Sequence, residues 1–492
     1  MDKTTSNISS KSFFGHPIGL LSLLSTELCE RFSYYGMRAI LVYYIYDSVV
    51  SGGLGLDHTT AMVIMSLFGS LVYLASILGG WVADRLFGPY KGVLFGGIII
   101  MAGHIVLGLP LGVPGLYISL LLIILGTGLL KPNVSVMVGE LYDIDDHRRQ
   151  SGFSLLVMSI NVGSFFSPLI VGIVSISAGY NIAFLIPAFM MFIALLIYTI
   201  MGKETLKGIG RQPVAPLSAA EKHRFCIIVI AVIAGVVVLS LILSFMKLLN
   251  IDLLSDFMPL ICTIISAILF YFIIRDKNIT TVERSRVYAF IPIFLTASIF
   301  WAIAEQQSST IALIADTRVN NVIGSFNIPP SWYASINPLV IILLSPLFAI
   351  LWTRLGKKQP SSFAKMAMGL FLAFCGFVIF AFAFWHVGSN GQISPFWVIG
   401  GMTIVTIGEL LLSPIGLSTT TLLSPSRHKS KMMSLWFISN ALGQGVISLT
   451  VHFFNEDAPE GFYFSYALVA LVIGLTLFLV RKKLLTLSKG IR

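Results

Sequence analysis

Long apolar runs dominate the chain, and short polar or Gly- and Pro-containing segments separate them. A helix needs about 20 mostly apolar residues to cross the hydrocarbon core of a lipid bilayer. Runs of that length recur fourteen times, which predicts an all-α polytopic membrane protein. The predicted spans are 16–48, 60–86, 91–110, 115–139, 150–175, 180–202, 224–247, 255–275, 286–317, 331–355, 362–386, 394–424, 429–454 and 462–484.

The basic residues of the loops test this helix count independently. Cytoplasmic loops of membrane proteins collect Lys and Arg. Of the 32 basic residues, 27 lie in the two tails or in even-numbered loops, whereas the odd-numbered loops hold only Lys247 and Arg318. An error in the helix count would scramble this alternation. The pattern therefore predicts a multi-pass protein of the cell membrane with both termini in the cytoplasm.

The segment 203–224 is the most polar internal stretch, and it follows the first six predicted helices. The next two helices carry no charge inside their apolar cores, which favours a structural insertion between two six-helix halves. We therefore predict an N-terminal six-helix bundle at 1–202, a linker with an inserted helix pair at 203–285, and a C-terminal six-helix bundle at 286–492. The polar residues before the first run do not resemble a cleaved signal peptide.

Composition excludes several classes of protein. Only 11% of the residues are charged and the mean hydropathy is +0.90, whereas soluble domains are about 25% charged. So few charges cannot cover soluble domains, which excludes a soluble enzyme and a disordered protein. The net charge of +10 would suggest nucleic-acid binding if it lay on a folded surface, but here the basic residues flank membrane spans. The four cysteines are scattered singly without metal-ligand spacing, so we expect no metal.

Seven charged residues remain inside the predicted spans. An intramembrane charge costs about 3 kcal/mol or more, so it normally faces a cavity and a partner. Seven such residues from both halves indicate a polar central cavity rather than isolated structural ion pairs. Opposite charges from the two halves would hold a zwitterion end to end, and would pair with each other in an empty cavity. The seven are Glu27, Glu30, Arg31, Arg38, Lys131, Glu305 and Glu409.

One face of the first predicted helix concentrates these charges. At about 100° per residue, two carboxylates, two guanidiniums and two phenols of the segment 27–38 fall within an arc of roughly 140°. Glu27 precedes Glu30 by three residues and Arg31 by four, so the three side chains are neighbours. Two carboxylates beside one guanidinium form a coupled unit in which one can keep a proton while the other stays ionised. Such a unit can accept a proton on one carboxylate, and the negative charge of a ligand can then replace the carboxylate charge beside the guanidinium.

The same residues resemble a known family. The sequence Glu27-x-x-Glu30-Arg31-Phe32-x-Tyr34-Tyr35-Gly36 matches the ExxERFxYYG motif of the proton-coupled oligopeptide transporters, a branch of the major facilitator superfamily, at every defined position. The resemblance implies the major facilitator fold of two six-helix bundles, with the two inserted helices of bacterial members. Other stretches that are similar to the family are Gly80-x-x-x-Asp84-Arg85-x-x-Gly88, GTGLLKPN at Lys131, Phe-Trp-x-x-x-Glu-Gln at Glu305, GELLLSPIGLS at Glu409 and MMSLWF at Trp436.

The resemblance implies symport of di- and tripeptides with protons by alternating access, with protons as the coupling ion and no other cofactor. Arg31 and Lys131 would receive the peptide carboxylate, and Glu409 would bind the amino group. The lipid bilayer is the other expected partner, and we expect the monomer to function. The peptide-binding residues that the resemblance implies are Arg31, Tyr34, Tyr35, Arg38, Tyr73, Lys131, Asn161, Trp301, Asn337, Glu409, Ser413 and Trp436.

Family positions also imply roles in proton coupling and gating. Animal members carry a histidine in the second helix at a position that corresponds to Ser66 here, so protonation would depend on the carboxylates. The implied proton-coupling residues are Glu27, Glu30, Arg31 and Glu305, and the implied gating salt bridges are Arg38–Glu305 and Lys131–Glu409.

Two other classes stay open at this point. One is a major facilitator proton antiporter that exports drugs or other small organic solutes. The pairing of Arg31 and Lys131 against Glu409 suits zwitterions rather than lipophilic cations. The other is a membrane receptor or scaffold, which lacks an extramembrane domain because the longest polar internal segment is about 20 residues. An enzyme is not expected, since the chain shows no nucleophile–base arrangement.

Overall fold

The computed structural model describes residues 12–143, 145–213, 215–224, 227, 251–389 and 391–491. The predicted helix at 224–247 lies outside the described residues apart from positions 224 and 227, and so do Cys226 and Lys247. The basic tail residues Lys3, Lys11 and Arg492 also lie outside them.

Helices make up most of the described chain, and their bounds agree with the predicted spans to within a few residues. Two short strand pairs lie outside the helices, Ser12–Phe13 with His16–Pro17 and Val322–Ile323 with Phe326–Asn327. The helices are α1 Gly19–Tyr46, α2 His58–Val82, α3 Pro89–Gly108, α4 Gly112–Glu140, α5 Arg148–Ala178, α6 Tyr180–Thr205, α7 Ile251–Arg275, α8 Thr281–Ala304, α9 Thr310–Thr317, α10 Ile336–Leu355, α11 Ser362–Val387, α12 Pro395–Leu423, α13 Lys429–Thr450 and α14 Glu460–Leu487.

Twelve helical segments within the described residues are long and apolar enough to cross a membrane. Helix α1 is as long, but it carries four charged side chains and does not belong to these twelve. With α1 included, every predicted span except 224–247 has a helix in the structure.

One predicted span is interrupted. The span 286–317 is divided into α8 and α9 by a 3-10 turn at Glu305–Ser308. Side chains compensate for the broken helical ladder, because Nε2 of Gln306 donates to the carbonyl of Ala302 at 3.1 Å. By contrast, α12 continues through Pro414. The interruption therefore gives Glu305 a backbone environment different from that of an ordinary helical residue.

The contacts divide the chain into two compact units. The first comprises the described residues of Met1–Met37, Leu74–Ser164 and Ser177–Leu254, and the second those of Arg38–Tyr73, Phe165–Ile176 and Ser255–Arg492. The end of α1, the start of α2 and part of α5 thus pack with helices from the second half of the chain. The predicted domain boundaries at 202 and 285 stay a prediction.

Glycines allow close helix packing beside the charged residues in each unit. In the first unit, a Cβ atom on Gly126 of α4 would lie 2.7 Å from the carbonyl oxygen of Gly96 on α3. In the second, a Cβ on Gly408 of α12 would lie 2.7 Å from the carbonyl oxygen of Gly369 on α11. Small residues let backbones approach in membrane helix pairs. This packing fixes the positions of α4 and α12, the helices that carry Lys131 and Glu409.

Candidate functional site

A buried cluster of charges lies on α1 in the first unit. Nε of Arg31 lies 3.1 Å from Oε1 of Glu27 and also contacts Oε2 of Glu30. The three residues are only 3%, 3% and 0% exposed, respectively. Breaking a buried ion pair by removing one partner is strongly destabilising, because it leaves an uncompensated charge. Two carboxylates therefore share one guanidinium in a region closed to solvent, and one positive charge cannot neutralise both when both are ionised.

The cluster retains unused hydrogen-bonding capacity. Among the described residues, neither Nη2 of Arg31 nor Oε2 of Glu27 has a hydrogen-bond partner. The Arg31 guanidinium also lies 5.6 Å from the centre of the Tyr34 ring, whose edge meets Tyr35 at 5.2 Å between ring centres. A buried donor without a partner carries a desolvation cost that an incoming acceptor would remove. The geometry thus suits an anionic group that approaches Arg31.

Helix α5 packs against α1 at this cluster. Gly163 faces the carbonyl oxygen of Leu28, and a Cβ at this position would overlap it. On α1, the Ser33 hydroxyl donates to the carbonyl of Pro187 on α6 at 2.8 Å. Asn161, also on α5, is buried and donates to the carbonyl of Val157 at 2.8 Å. Close backbone contact therefore holds the charged face of α1 in place.

Replacing Gly163 with alanine should destabilise the protein, because the added methyl group meets backbone rather than a movable side chain. Overpacking of this kind costs about 1–3 kcal/mol, which thermal unfolding of the purified protein would show as a lower Tm. Gly400→Ala is the matched control, since a Cβ at Gly400 on α12 has no neighbour within 4 Å. An unchanged Tm in Gly163→Ala would contradict the close contact between α5 and α1.

Lys131 brings a further positive charge into the first unit. It lies in α4, is half-buried and interacts electrostatically with Glu30. Pro132 follows it inside the helix. Glu30 is therefore influenced by two cations, Arg31 from its own helix and Lys131 from another.

Arg38 forms a second buried ion pair, this time in the second unit. Its Nη2 lies 2.8 Å from Oε2 of Glu305 and 2.7 Å from the hydroxyl of Ser308. The same nitrogen donates to Oε1 of Gln444 at 3.2 Å, and Gln444 in turn donates to Asn440 at 2.8 Å. One guanidinium nitrogen thus joins α1 to the turn after α8 and to α13.

Glu409 lies in a polar group on α12 and α10. Nδ2 of Asn337 lies 2.7 Å from Oε2 of Glu409 and 3.2 Å from the hydroxyl of Thr406. Glu409 also interacts electrostatically with Glu305. The amide holds this half-buried carboxylate in one orientation, and the nearby Glu305 favours a cation beside it.

The predicted aromatic residues of the second unit differ in their surroundings. Trp436 is buried, and its ring lies directly over Gly416 of α12. Trp301 is half-buried and meets Phe300 edge-on at 5.7 Å between ring centres. Tyr73 and Ser413 are half-buried. Trp436 is therefore closely packed, whereas Trp301, Tyr73 and Ser413 keep part of their surface accessible.

Comparison with known proteins decides the family. The family model described as PTR2, the POT family, matches residues 90–474. The chain belongs to the POT family. A di-/tripeptide transporter of Lactococcus lactis subsp. cremoris is 40% identical to it, over 99% of both chains.

Solved POT structures agree along the whole chain. A peptide transporter POT in complex with sulfate is 42% identical with a TM-score of 0.95, over 99% of this chain and 98% of that one. A POT family transporter in complex with a thioalcohol-conjugated peptide is 37% identical with a TM-score of 0.95, over 98% of this chain and 100% of that one. The predicted family and the major facilitator fold are confirmed, and this POT protein is a multi-span membrane transporter rather than an enzyme.

The predicted site residues of this POT protein fall into two groups by unit. Lys131 and Glu409 belong to different units, so their predicted gating pair stays a prediction. No group of three or more metal-ligating side chains lies within the described part of the chain. The first unit holds Glu27, Glu30, Arg31, Tyr34, Tyr35, Lys131 and Asn161, and the second holds Arg38, Tyr73, Trp301, Glu305, Asn337, Glu409, Ser413 and Trp436.

Sequence reasoning missed several polar partners of the predicted residues. Ser308, Gln444 and Asn440 surround Arg38, and Thr406 adjoins Asn337. Gln444 and Asn440 are buried amides inside α13, a helix long and apolar enough to cross the membrane. Intramembrane amides hydrogen-bond across helices, so their position one turn apart was a usable signal.

Proposed function

We propose that this POT protein imports di- and tripeptides together with protons by alternating access, in the cell membrane and with both termini cytoplasmic. The observation that carries the proposal is the buried cluster of Glu27, Glu30 and Arg31, in which two acids share one guanidinium. The similar Lactococcus lactis protein is named a di-/tripeptide transporter, and a similar POT structure holds a conjugated peptide.

Protonation of the α1 cluster would control peptide affinity. When one of the two carboxylates takes a proton, Arg31 loses a competitor. Its Nη2, which has no partner among the described residues, then binds the peptide carboxylate. When the proton leaves, the carboxylate competes again and the peptide is released. A ligand shifts a conformational equilibrium only through such differential contacts.

The other end of the peptide would bind in the second unit. Glu409, oriented by Asn337 at 2.7 Å, offers a carboxylate to the peptide amino group. Glu305 nearby adds negative potential that favours a cation at this point. Lys131 would assist Arg31 with the carboxylate and pair with Glu409 in the empty state. The remaining predicted residues would line the site, namely Tyr34, Tyr35, Tyr73, Asn161, Trp301, Ser413 and Trp436.

The Arg38–Glu305 pair would act as a gate. Two further polar contacts of the second unit lie at the end of α1 and at the start of α2. The Tyr46 hydroxyl donates to Asp316 at 2.6 Å, and His58 lies 2.8 Å from Glu456. With cytoplasmic termini, these three contacts would lie on the extracellular side. Opening that side would require breaking all three, and their formation would accompany release of peptide to the cytoplasm.

Uptake in proteoliposomes tests the proposal. Radiolabelled dipeptide should accumulate when an inward proton gradient is imposed and should stop accumulating when an uncoupler is added. Protein-free liposomes under the same gradient are the control. Accumulation that persists without any gradient would contradict proton coupling. Proton-driven efflux of a cationic dye without peptide uptake would favour the drug antiporter instead.

A further inference from the structure

A cavity lies in the second unit between α10, α11 and α12. Its volume is about 760 Å³, within the range of small-molecule sites, about 300–1,000 Å³. Phe348 and Trp352 of α10, Lys365 of α11 and Leu422 of α12 are among the residues that line it. Neither Glu409 nor Asn337 lines it, so it is separate from the proposed peptide site.

One end of the cavity carries a buried positive charge. Lys365 is 7% exposed, and its ammonium group lies 3.9 Å from the centre of the Trp352 ring. It donates to the neutral Oε1 of Gln359 at 2.6 Å. Within the described residues, Lys365 forms no ion pair, and no carboxylate lines the cavity. A buried charge without a counter-ion is costly, so this end of the cavity favours an anion.

Two further features add positive potential at the same end. Lys357, in the loop between α10 and α11, also lines the cavity. Helix α11 begins here, and the Ser361 hydroxyl accepts a hydrogen bond from the backbone N–H of Ala364 at 3.3 Å. The N-terminus of a helix carries partial positive charge and binds phosphate groups readily.

The rest of the cavity is apolar and adjoins a surface that would face lipid. Phe348, Ala349 and Leu422 form part of its wall. Leu422 is 53% exposed, and the neighbouring Leu347 of α10 is 59% exposed. In a multi-span membrane protein we expect such exposed leucines to contact acyl chains. The cavity therefore combines a cationic end near a predicted cytoplasmic loop with an apolar wall that continues onto the membrane-facing surface.

We propose that this cavity binds an anionic phospholipid of the cytoplasmic leaflet. The phosphate of the head group lies between Lys365, Lys357 and the start of α11, and one acyl chain lies along Phe348 and Leu422. A soluble anion would satisfy the charges and leave the apolar wall unused, whereas a neutral lipid would cover the wall and leave Lys365 without a counter-ion. Only an anionic amphiphile matches both ends.

Native mass spectrometry of the purified full-length protein tests the proposal. The protein is titrated with phosphatidylglycerol and, separately, with phosphatidylcholine of the same acyl chains. We expect the protein to bind one phosphatidylglycerol molecule in preference to phosphatidylcholine. Lys365→Gln should weaken this binding roughly fivefold, which corresponds to about 1 kcal/mol, the value expected per basic residue. Lys358→Gln is the matched control, because Lys358 lies in the same loop but does not line the cavity.

A second variant keeps both lysines and removes the space. Ala349→Phe fills the apolar part and should reduce phosphatidylglycerol binding without changing the charge. Equal binding of the two lipids by the unaltered protein would overturn the proposal. The same conclusion would follow if Lys358→Gln weakened binding as much as Lys365→Gln. Two results together would show a site for a soluble anion instead. Millimolar inorganic phosphate would displace phosphatidylglycerol, and Ala349→Phe would bind phosphatidylglycerol as well as the unaltered protein does.

Discussion

Replacing Glu27 with glutamine is expected to abolish proton-driven accumulation of peptide and to leave gradient-free counterflow intact. Glutamine keeps the shape of the side chain near Arg31, 3.1 Å away in the structure, but it cannot take up and release a proton. With one carboxylate fewer, Arg31 is permanently less occupied and binds peptide without a proton signal. The variant should therefore exchange peptide across the membrane while losing coupling to the gradient.

The size of the effect follows from the driving force. A membrane potential of 100 mV is worth about 2.3 kcal/mol per charge, which corresponds to about 50-fold accumulation per coupled proton. The unaltered protein should approach that ratio in proteoliposomes, whereas Glu27→Gln should equalise the internal and external concentrations. Glu204→Gln is the control, since Glu204 lies exposed at the end of α6. Continued accumulation by Glu27→Gln would show that the essential proton site lies elsewhere.

Replacing Glu305 with glutamine should impair both uptake and counterflow. Arg38 is buried and keeps Ser308 and Gln444 as hydrogen-bond acceptors, but it loses the charge of Glu305. Removing one partner of a buried pair costs about 3–5 kcal/mol; the retained hydrogen bonds and the isosteric amide reduce this to roughly 1–3 kcal/mol. We expect the state in which the gate is formed to lose population and transport to fall between about 5-fold and 150-fold.

The pattern across two assays separates this variant from the first. Glu27→Gln should retain counterflow, whereas Glu305→Gln should lose it, because a gate acts on every cycle. The double variant Arg38→Glu with Glu305→Arg should recover part of the activity by restoring the pair in reverse. Asp457→Asn serves as control, since Asp457 is exposed in the loop before α14. Normal counterflow in Glu305→Gln would contradict a gating role.

Local spacing predicts the α1 cluster well. Glu27 and Arg31 are one helical turn apart, and any α-helix brings such side chains together. The observed contact of Arg31 with Glu27 follows from that periodicity. The contact with Glu30 joins adjacent residues, which the same periodicity does not place face to face. Nothing local predicts that Arg38 meets Glu305, since 267 positions separate them; resemblance to a family suggested it. Gln444 was not foreseen, because its contact with Arg38 depends on how α13 packs against α1.

The spans were also predictable, but two features of their arrangement were not. Hydropathy merges α8 and α9 into one run, because the interruption at Glu305–Ser308 depends on side-chain hydrogen bonds rather than on apolarity. Hydropathy also gives no reason to divide α1. In the structure, contacts assign Arg38 and the residues after it to the unit formed by the second half of the chain.

The sequence by itself determined the membrane-spanning helices, the alternation of loop charge and the charged face of α1, because each depends on one segment and its solvent. Only the tertiary structure decided which distant polar groups pair, such as Arg38 with Glu305 in an ion pair and Asn337 with Glu409 in a hydrogen bond. It also revealed Lys365 beside a cavity without a counter-ion among the described residues. Such contacts depend on close helix packing, which the sum of many small side-chain and backbone interactions sets.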